Sequence, residues 1–475
     1  MVVESSGADR LGRVCVLGIG RTGVAVARHC LSLVASGRVD SVTVVGGASS
    51  HESEESRSLV ADGADVILGS EEVRGEYDLG VASPGIPVTS SFFLSATKAC
   101  TEVIGEPELA WRESPERWIG ITGTNGKTTT TTLVRDLIRA GGSPAQEVGN
   151  IGTIAIGEVD GRVEGGWFVA ELSSFQLATT RLLHPRVAVL LNVTPDHLAW
   201  HGTMEAYAAA KERIFANLVP TDLAVLSDDD ETCRAIEGRL EARGLRVCHL
   251  SVSREPDGAD AAFVRAGRLV CRLGGEEHEL VGVDELSIKG EHNLENALAA
   301  SACALEVGVP VEDVSRGLIA FRPLEHRIEP AGTLGGVSLV DDSKATNTDA
   351  VEKALTAFPK GHVILLLGGH DKGCELDSFA SAVVASVKSV VCFGEAGPRF
   401  GEAMRSAAGG TDVAVLSADH MADALDRALD VATAGDVVLL SPACSSFDEF
   451  SGFEERGDVF KRLCAERVAR AGSEA

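Results

Sequence analysis

Residues 118–140 place an apolar strand pattern, a glycine-rich loop and a helical pattern in direct succession. The loop runs Gly-Thr-Asn-Gly-Lys-Thr from Gly123 to Thr128 and ends as P-loops do, although Ile121 stands where the strict spacing has a glycine. Glycines let backbone N–H groups face phosphates, Lys127 can reach the β and γ oxygens, and the Thr128 hydroxyl can bind Mg²⁺. The alternative is a glycine-rich turn that happens to contain a lysine. The pattern predicts an ATP site, with GTP not excluded, formed by Gly123, Thr124, Asn125, Gly126, Lys127, Thr128 and Thr129.

Short apolar strands alternate with amphipathic helices along the whole chain, which predicts an α/β fold with mostly parallel sheets. In the last block the strand candidates are VSLVDD, HVILLLGG, SVVCFG, DVAVLS and DVVLLSPA. A length of 475 residues, at about 150 residues per domain, favours three domains. We expect their boundaries to give residues 1–107, 108–323 and 324–475.

The balance of charge excludes several classes of protein. Lys and Arg number 43 against 70 Asp and Glu, a net charge of −27, so binding to nucleic acid or to anionic lipid is not expected. No stretch approaches the roughly 20 apolar residues that cross a bilayer. The first residues are polar and acidic, unlike a secretory leader. Eleven cysteines without a CxxC pair fit a reduced compartment. We expect a cytoplasmic protein without a membrane span.

A second glycine-rich turn, GIGRTG from Gly18 to Gly23, lies between a strand and a helix. It could hold a diphosphate at the helix N-terminus. An NAD site would also need an acidic residue at the end of the next strand, where Val44-Val45-Gly46-Gly47 stands. The turn therefore favours another diphosphate over NAD, and a tight turn without a ligand remains the alternative.

Polar residues follow two strands after the P-loop. Glu171 ends the apolar segment WFVAE and suits Mg²⁺, although a solvated glutamate is the alternative. His197 and His201 have the spacing of zinc ligands, but Leu198 stands where a zinc protease has its glutamate. Lys211 follows on a helical pattern, where a lysine is ordinarily solvated.

These segments, taken in order, resemble the Mur ligase family over nearly the whole chain. The resemblance implies ATP-dependent amide ligases of peptidoglycan precursor synthesis with three domains. These are a Rossmann-like domain for the UDP-substrate, a central P-loop ATPase domain and a Rossmann-like C-terminal domain that brings the amino acid. The segments that carry it are GTNGKT, ELSSFQL, NVTPDHLAWHG with YAAAKERI, GEHNLENALAA, LEHRIE, DDSKATN and SPACSSFDEFSGFEERGDVF.

The resemblance also implies roles for individual residues, and Lys127, His197 and Lys211 would be catalytic. It implies two Mg²⁺ sites, one held by Thr128 and Glu171, the other by His197 and a carbamylated Lys211. Further ATP contacts would be Asn293, Asn296, Arg327 and Asp342. The D-glutamate site would contain Lys344, Thr346, Lys372, Ser446 and Phe453. The UDP-substrate would contact Gly18, Gly20, Thr22, Ser83, Pro84, Gly85 and Asn150.

The last three segments point to the member of the family that adds D-glutamate. The implied reaction ligates D-glutamate to UDP-N-acetylmuramoyl-L-alanine through an acyl phosphate, and we expect a monomer. Some members have an Asp-Thr-Arg run where residues 45–49 read Val-Gly-Gly-Ala-Ser, so no uridine contact is assigned there. Three alternatives stay open: a ligase of the same fold with another acceptor, an ATP-driven switch protein, and an NAD oxidoreductase.

Overall fold

The computed structural model describes residues 10–151, 153–371 and 373–474. They form two compact units. The first contains the chain up to Val283 together with Glu295–Ile319, and the second contains Asp284–Leu294 and the chain from Ala320 onward. Three sheets, two in the first unit and one in the second, have mainly parallel strands. The predicted α/β fold with mostly parallel sheets is confirmed.

The first sheet has five parallel strands in the order β3-β2-β1-β4-β5. Valine-rich strands suit its centre because parallel sheets are covered on both faces, and four of the six residues of the fourth strand are buried. The second helix begins with a capping box between Ser53 and Ser56. The elements are β1 (Gly12–Leu17), α1 (Arg21–Ser32), β2 (Val39–Val45), α2 (Glu54–Ala61), β3 (Asp65–Ile67), β4 (Tyr77–Ala82), α3 (Ser91–Ala99), β5 (Cys100–Gly105) and α4 (Glu106–Glu113).

The second sheet has nine strands in the order β14-β13-β12-β11-β10-β9-β6-β8-β7. Neighbouring strands among β6 to β12 pair in parallel, whereas β13 pairs antiparallel with both β12 and β14. The strands are β6 (Trp118–Thr122), β7 (Ala145–Gly149), β8 (Trp167–Glu171), β9 (Val187–Leu190), β10 (Leu223–Ser227), β11 (Arg246–Ser251), β12 (Ala261–Arg265), β13 (Arg268–Leu273) and β14 (Glu276–Gly282).

Eight α-helices lie between Lys127 and Ala320 in the described chain. The sequence predicts one helix that starts at Pro195-Asp196 and continues through Met204, Tyr207, Lys211 and Ile214. The structure divides it, because Gly202 adopts a φ of 83° and ends one helix before the next begins. The helices are α5 (Lys127–Ala140), α6 (Ala155–Glu158), α7 (Ser174–Leu177), α8 (Leu198–His201), α9 (Met204–Glu212), α10 (Glu231–Ala242), α11 (Glu291–Glu306) and α12 (Val311–Ala320).

The third sheet has six strands in the order β15-β16-β20-β17-β18-β19, and only the β15–β16 pair is antiparallel. No helix of the described residues is long and apolar enough to cross a membrane. The elements are β15 (Glu329–Leu334), β16 (Val337–Asp341), α13 (Thr348–Leu355), β17 (Val363–Gly368), α14 (Asp377–Val384), β18 (Ser389–Phe393), α15 (Gly397–Ala407), β19 (Ala414–Ser417), α16 (Met421–Val431), β20 (Val437–Ala443) and α17 (Phe453–Glu474).

Candidate active site

The P-loop connects β6 to α5 at the carboxyl edge of the second sheet, where open α/β folds bind ligands. Gly126 adopts a φ of 83°, and a Cβ atom added there would lie 2.4 Å from Asn296 Oδ1. Only glycine fits both conditions. Thr130 Oγ1 donates to the same Asn296 oxygen over 3.1 Å. The structure therefore brings Asn296 against the loop.

Asn192, which the sequence analysis did not single out, fixes the middle of the P-loop. Its backbone oxygen accepts the N–H of Thr124 over 2.9 Å, and its side-chain oxygen accepts the N–H of Asn125, also over 2.9 Å. Asn192 lies two residues beyond the end of β9, the strand next to β6. A polar residue at the end of an apolar strand was the signal that could have identified it.

Lys127 and Lys211 meet at one backbone oxygen. Lys127 Nζ donates to Gly123 O over 2.9 Å and to Thr124 O over 2.8 Å, and Lys211 Nζ donates to Gly123 O over 2.7 Å. Lys211 is 1% exposed. Burial, and then the charge of Lys127, lowers the pKa of Lys211 well below its usual value. The expectation that Lys211 is solvated, which its helical position alone suggests, is wrong.

Glu171 ends β8, which pairs with β6, and it is 2% exposed. Its Oε1 accepts a hydrogen bond of 2.7 Å from Asn150 Nδ2. Its Oε2 is buried with no hydrogen-bond partner among the described residues. A buried carboxylate oxygen without a donor is costly unless a ligand satisfies it. Together with the Thr128 hydroxyl in the first turn of α5, this oxygen fits a hard cation such as Mg²⁺.

His197 lies in a group of rings at the same edge of the sheet. Its backbone adopts a φ of 54°, and its N–H donates to Asp196 Oδ1 over 2.8 Å. The Phe175 ring lies 4.8 Å from the His197 ring and 5.7 Å from the His201 ring. His201 Nε2 lies 2.8 Å from Ser174 Oγ, and burial lowers the pKa of His201 to about 4. His201 is thus a neutral packing partner, consistent with the absence of a zinc-protease pattern.

The first glycine turn meets β4 closely. A Cβ atom on Gly23 would lie 1.9 Å from Gly18 O, and one on Gly18 would lie 2.9 Å from Ser83 Oγ. Ser83 Oγ is buried and has no hydrogen-bond partner among the described residues. It therefore offers an unsatisfied hydroxyl beside the turn, at the start of the Ser83-Pro84-Gly85 segment. Gly20 precedes α1 and Thr22 lies in its first turn.

In the second unit, Asp342 is buried beside Ser441, whose hydroxyl donates to Asp342 Oδ2 over 2.7 Å. Burial raises the pKa of Asp342 to about 7, against the opposing charge of Arg327. Asn293, in the same unit, donates from Nδ2 to Lys289 O over 2.8 Å. That Asn293, Arg327 and Asp342 contact ATP stays a prediction from the resemblance.

The segments expected to bind D-glutamate end or follow strands of the third sheet. Lys344 Nζ lies 3.6 Å from the centroid of the Phe453 ring. Thr346 is half-buried and Ser446 is buried. Lys372 lies outside the described residues. Four of the five predicted residues therefore belong to the described part of one unit.

His326, Glu329 and Asp341 are the one group of metal-type side chains that the described residues bring together. These groups already bond to each other. His326 Nδ1 lies 2.7 Å from Asp341 Oδ2, and His326 N–H donates to Glu329 Oε2. Lys461 also donates to Glu329. We assign no metal here, because a cation would compete with these partners.

Comparison with known proteins gives the family. Residues 121–304 match the Mur ligase middle domain, and residues 326–444 match the Mur ligase, glutamate ligase domain. The chain is 39% identical to the UDP-N-acetylmuramoylalanine--D-glutamate ligase of Pelotomaculum thermopropionicum, over 95% of this chain and 97% of that protein. It is 40% identical to the protein of the same name from Koribacter versatilis, over 95% and 96%.

The fold agrees with solved structures. A pseudomurein peptide ligase type C from Methanothermus fervidus superposes with a TM-score of 0.58 at 17% identity, covering 95% of this chain and 99% of that one. The chain belongs to the Mur ligase family, whose members are ATP-dependent, amide-bond-forming ligases. Membership of this family, which the sequence motifs indicate, is confirmed.

Proposed function

We propose that this enzyme joins D-glutamate to UDP-N-acetylmuramoyl-L-alanine in peptidoglycan precursor synthesis, releasing ADP and phosphate. The observation that carries the proposal is the meeting of Lys127, Lys211 and Glu171 around one P-loop, in a chain whose curated relatives bear that ligase name. NAD chemistry has no comparable support, because the strand after the first glycine turn ends in Val44-Val45-Gly46-Gly47 and not in the acidic residue that an NAD site needs.

The difficulty in the reaction is electrostatic. The alanyl carboxylate and the γ-phosphate of ATP are both anions and must come into contact before the phosphoryl group can transfer. Lys127 and the backbone N–H groups of the P-loop neutralise part of this charge. Transfer gives an acyl phosphate, which the D-glutamate amine attacks, and phosphate then leaves from a tetrahedral intermediate.

Two Mg²⁺ sites complete the compensation of charge. Thr128 and Glu171 would hold one ion, and His197 and carbamylated Lys211 would hold the other. When bound, Mg²⁺ supplies charge neutralisation and orients the phosphate oxygens. The buried Oε2 of Glu171 without a donor supports the first site.

The surroundings of Lys211 support its carbamylation. Only the neutral amine attacks CO₂, forming an N–C bond and releasing one proton to give a carbamate anion. Burial and the neighbouring Lys127 favour that neutral amine. Carbamylation replaces a second cation at Gly123 O with an oxygen donor that suits Mg²⁺.

The remaining assignments complete the proposal. Residues 1–107 bind the UDP-substrate, residues 108–323 bind ATP, and residues 324–475 bind D-glutamate in a cytoplasmic monomer. Two cationic lysines, Lys344 and Lys372, match the two carboxylates of D-glutamate. The unsatisfied Ser83 hydroxyl supports a polar ligand at the first glycine turn.

Phosphate release from ATP, with UDP-N-acetylmuramoyl-L-alanine present, tests this function. D-Glutamate, L-glutamate, other amino acids and no acceptor are compared. We expect release only with D-glutamate, with a product heavier by one glutamyl unit. Release that depends on another acceptor would keep the mechanism and replace the substrate. Release without any acceptor would indicate a switch protein.

A further inference from the structure

Arg456 is a buried cation that the reaction outlined above does not use. It lies in the first turn of α17 and is 0% exposed. Burial lowers the pKa of Arg456 to about 10, so the guanidinium stays charged at neutral pH. A buried charge is costly unless it is well bonded. Its position therefore calls for an explanation.

Among the residues that the structure describes, the guanidinium donates only to uncharged oxygens. Nε donates to Ser343 Oγ over 2.9 Å and Nη2 to Ser343 O over 2.8 Å. Nη2 also donates to Cys444 O over 3.1 Å, and Nη1 to Ser445 O over 3.3 Å. The planar group thus joins the segment after β16 to the segment after β20.

These two segments carry the proposed D-glutamate contacts. Ser343 directly precedes Lys344, and Ser445 directly precedes Ser446. The Ser343 hydroxyl also donates to Phe453 O over 2.8 Å. Arg456 therefore fixes the backbone beside Lys344 and Ser446, and the Ser343 hydroxyl that it bonds fixes the backbone of Phe453.

A second set of bonds fixes the same segment from the other side. Asp341 Oδ1 accepts the N–H of Ser343 over 2.9 Å, and His326 O accepts the N–H of Lys344 over 3.1 Å. Gly457, next to Arg456, allows this approach, since a Cβ atom there would lie 2.1 Å from His326 Nδ1. The start of α17 is thus packed directly onto the Lys344 segment.

We propose that Arg456 is a positioning residue for the amino-acid site, holding the Lys344 and Ser446 segments at the separation that D-glutamate requires. The inference rests on the proposed function. Arg456 itself does not contact the substrate. Its fork of N–H groups reaches both segments at once, which the single ammonium of lysine cannot do with the same geometry.

The test measures KM for D-glutamate, for ATP and for the UDP-substrate in the full-length enzyme. The variants are Arg456→Lys and Ser343→Ala, which removes only the hydroxyl between Arg456 and Phe453. The matched control is Arg467→Met, on the same helix, whose guanidinium pairs with Asp426 and donates to Leu463 O. Thermal unfolding of every variant is measured in parallel.

We expect KM for D-glutamate to rise about tenfold or more in both variants. The KM values for ATP and for the UDP-substrate should change less than twofold. In the control Arg467→Met all three KM values should stay as in wild type. Equal changes in all three KM values, or a lower melting temperature with unchanged KM values, would overturn the inference. If Arg456→Lys does not fold, Ser343→Ala decides. A wild-type enzyme that does not use D-glutamate contradicts the proposed function, and this inference with it.

Discussion

Lys127 and Lys211 donate hydrogen bonds to the same carbonyl oxygen, that of Gly123, from 2.9 and 2.7 Å. Two ammonium groups at one acceptor repel each other, and Lys211 is the more buried of the two. The repulsion and the burial both favour the neutral amine of Lys211. The amine of Lys211, on α9, thus lies against the P-loop beside Lys127 and is suited to carbamylation.

Replacement of Lys211 by alanine should lower the ligation rate by about 10²–10³-fold, because the second proposed Mg²⁺ site would lose one of its ligands. Short-chain carboxylic acids should restore part of the rate by supplying the missing oxygens. In wild-type protein, ¹³C-bicarbonate should give a carbamate NMR signal that is absent from Lys211→Ala. The exposed Lys98→Ala variant is the control. Full activity of Lys211→Ala without added acid would contradict the carbamate role.

Asn150 donates to Glu171 Oε1, and its replacement by alanine should weaken metal binding. Groups that orient a metal ligand typically affect affinity by about 10–100-fold. Mn²⁺, used in place of Mg²⁺, is titrated by electron paramagnetic resonance in the presence of a non-hydrolysable ATP analogue. Gln146 lies on β7, the strand that Asn150 directly follows, and is bonded to Glu158 instead, so Gln146→Ala should bind Mn²⁺ as wild type does. Unchanged Mn²⁺ affinity in Asn150→Ala would contradict a role of Asn150 in orienting Glu171 for the metal and would leave it only the proposed contact with the UDP-substrate.

Glu106 lies fully buried at the start of α4 and accepts one N–H, from Ile156. Burial raises the pKa of Glu106 to about 7. Between its unfolded pKa and pH 7 the folded state therefore binds more protons than the unfolded state. The contribution of this group to stability is accordingly greatest at low pH and falls as pH rises through that window.

Glu106→Gln should remove this pH dependence. Relative to wild type, the variant should gain about 2 kcal/mol more free energy of unfolding at pH 8.5 than at pH 5.5. Urea unfolding followed by tryptophan fluorescence reports on the first unit, which contains all four tryptophans. The exposed Glu116→Gln variant should show no such difference. An equal effect of Glu106→Gln at both pH values would contradict the raised pKa.

Much of the fold could be predicted because buried parallel strands are continuous apolar segments. The five strands predicted in the last block are β16 to β20. The exposed edge strand β15 was not predicted, since its sequence Glu-Pro-Ala-Gly-Thr-Leu has neither alternation nor an apolar run. Strand β7 was not predicted either, since its sequence Ala-Gln-Glu-Val-Gly also lacks an apolar run.

The candidate site was predictable where a motif carries its own chemistry, as in the P-loop. The bonds from Asn192 to the P-loop and from Asn150 to Glu171 were not, because they depend on which strands lie side by side. Arg456 resembles an ordinary surface charge in the sequence Phe-Glu-Glu-Arg-Gly. Only the packing of α17 onto two loops shows that it is buried.

The most direct test of the ligation mechanism follows the oxygens of the alanyl carboxylate. UDP-N-acetylmuramoyl-L-alanine labelled with ¹⁸O in both carboxylate oxygens is incubated with ATP, Mg²⁺ and D-glutamate, and the phosphate and the product are analysed by mass spectrometry. An acyl phosphate predicts one ¹⁸O in the released phosphate and one in the new amide. Phosphate without ¹⁸O, formed alongside the ligated product or without it, would contradict the account.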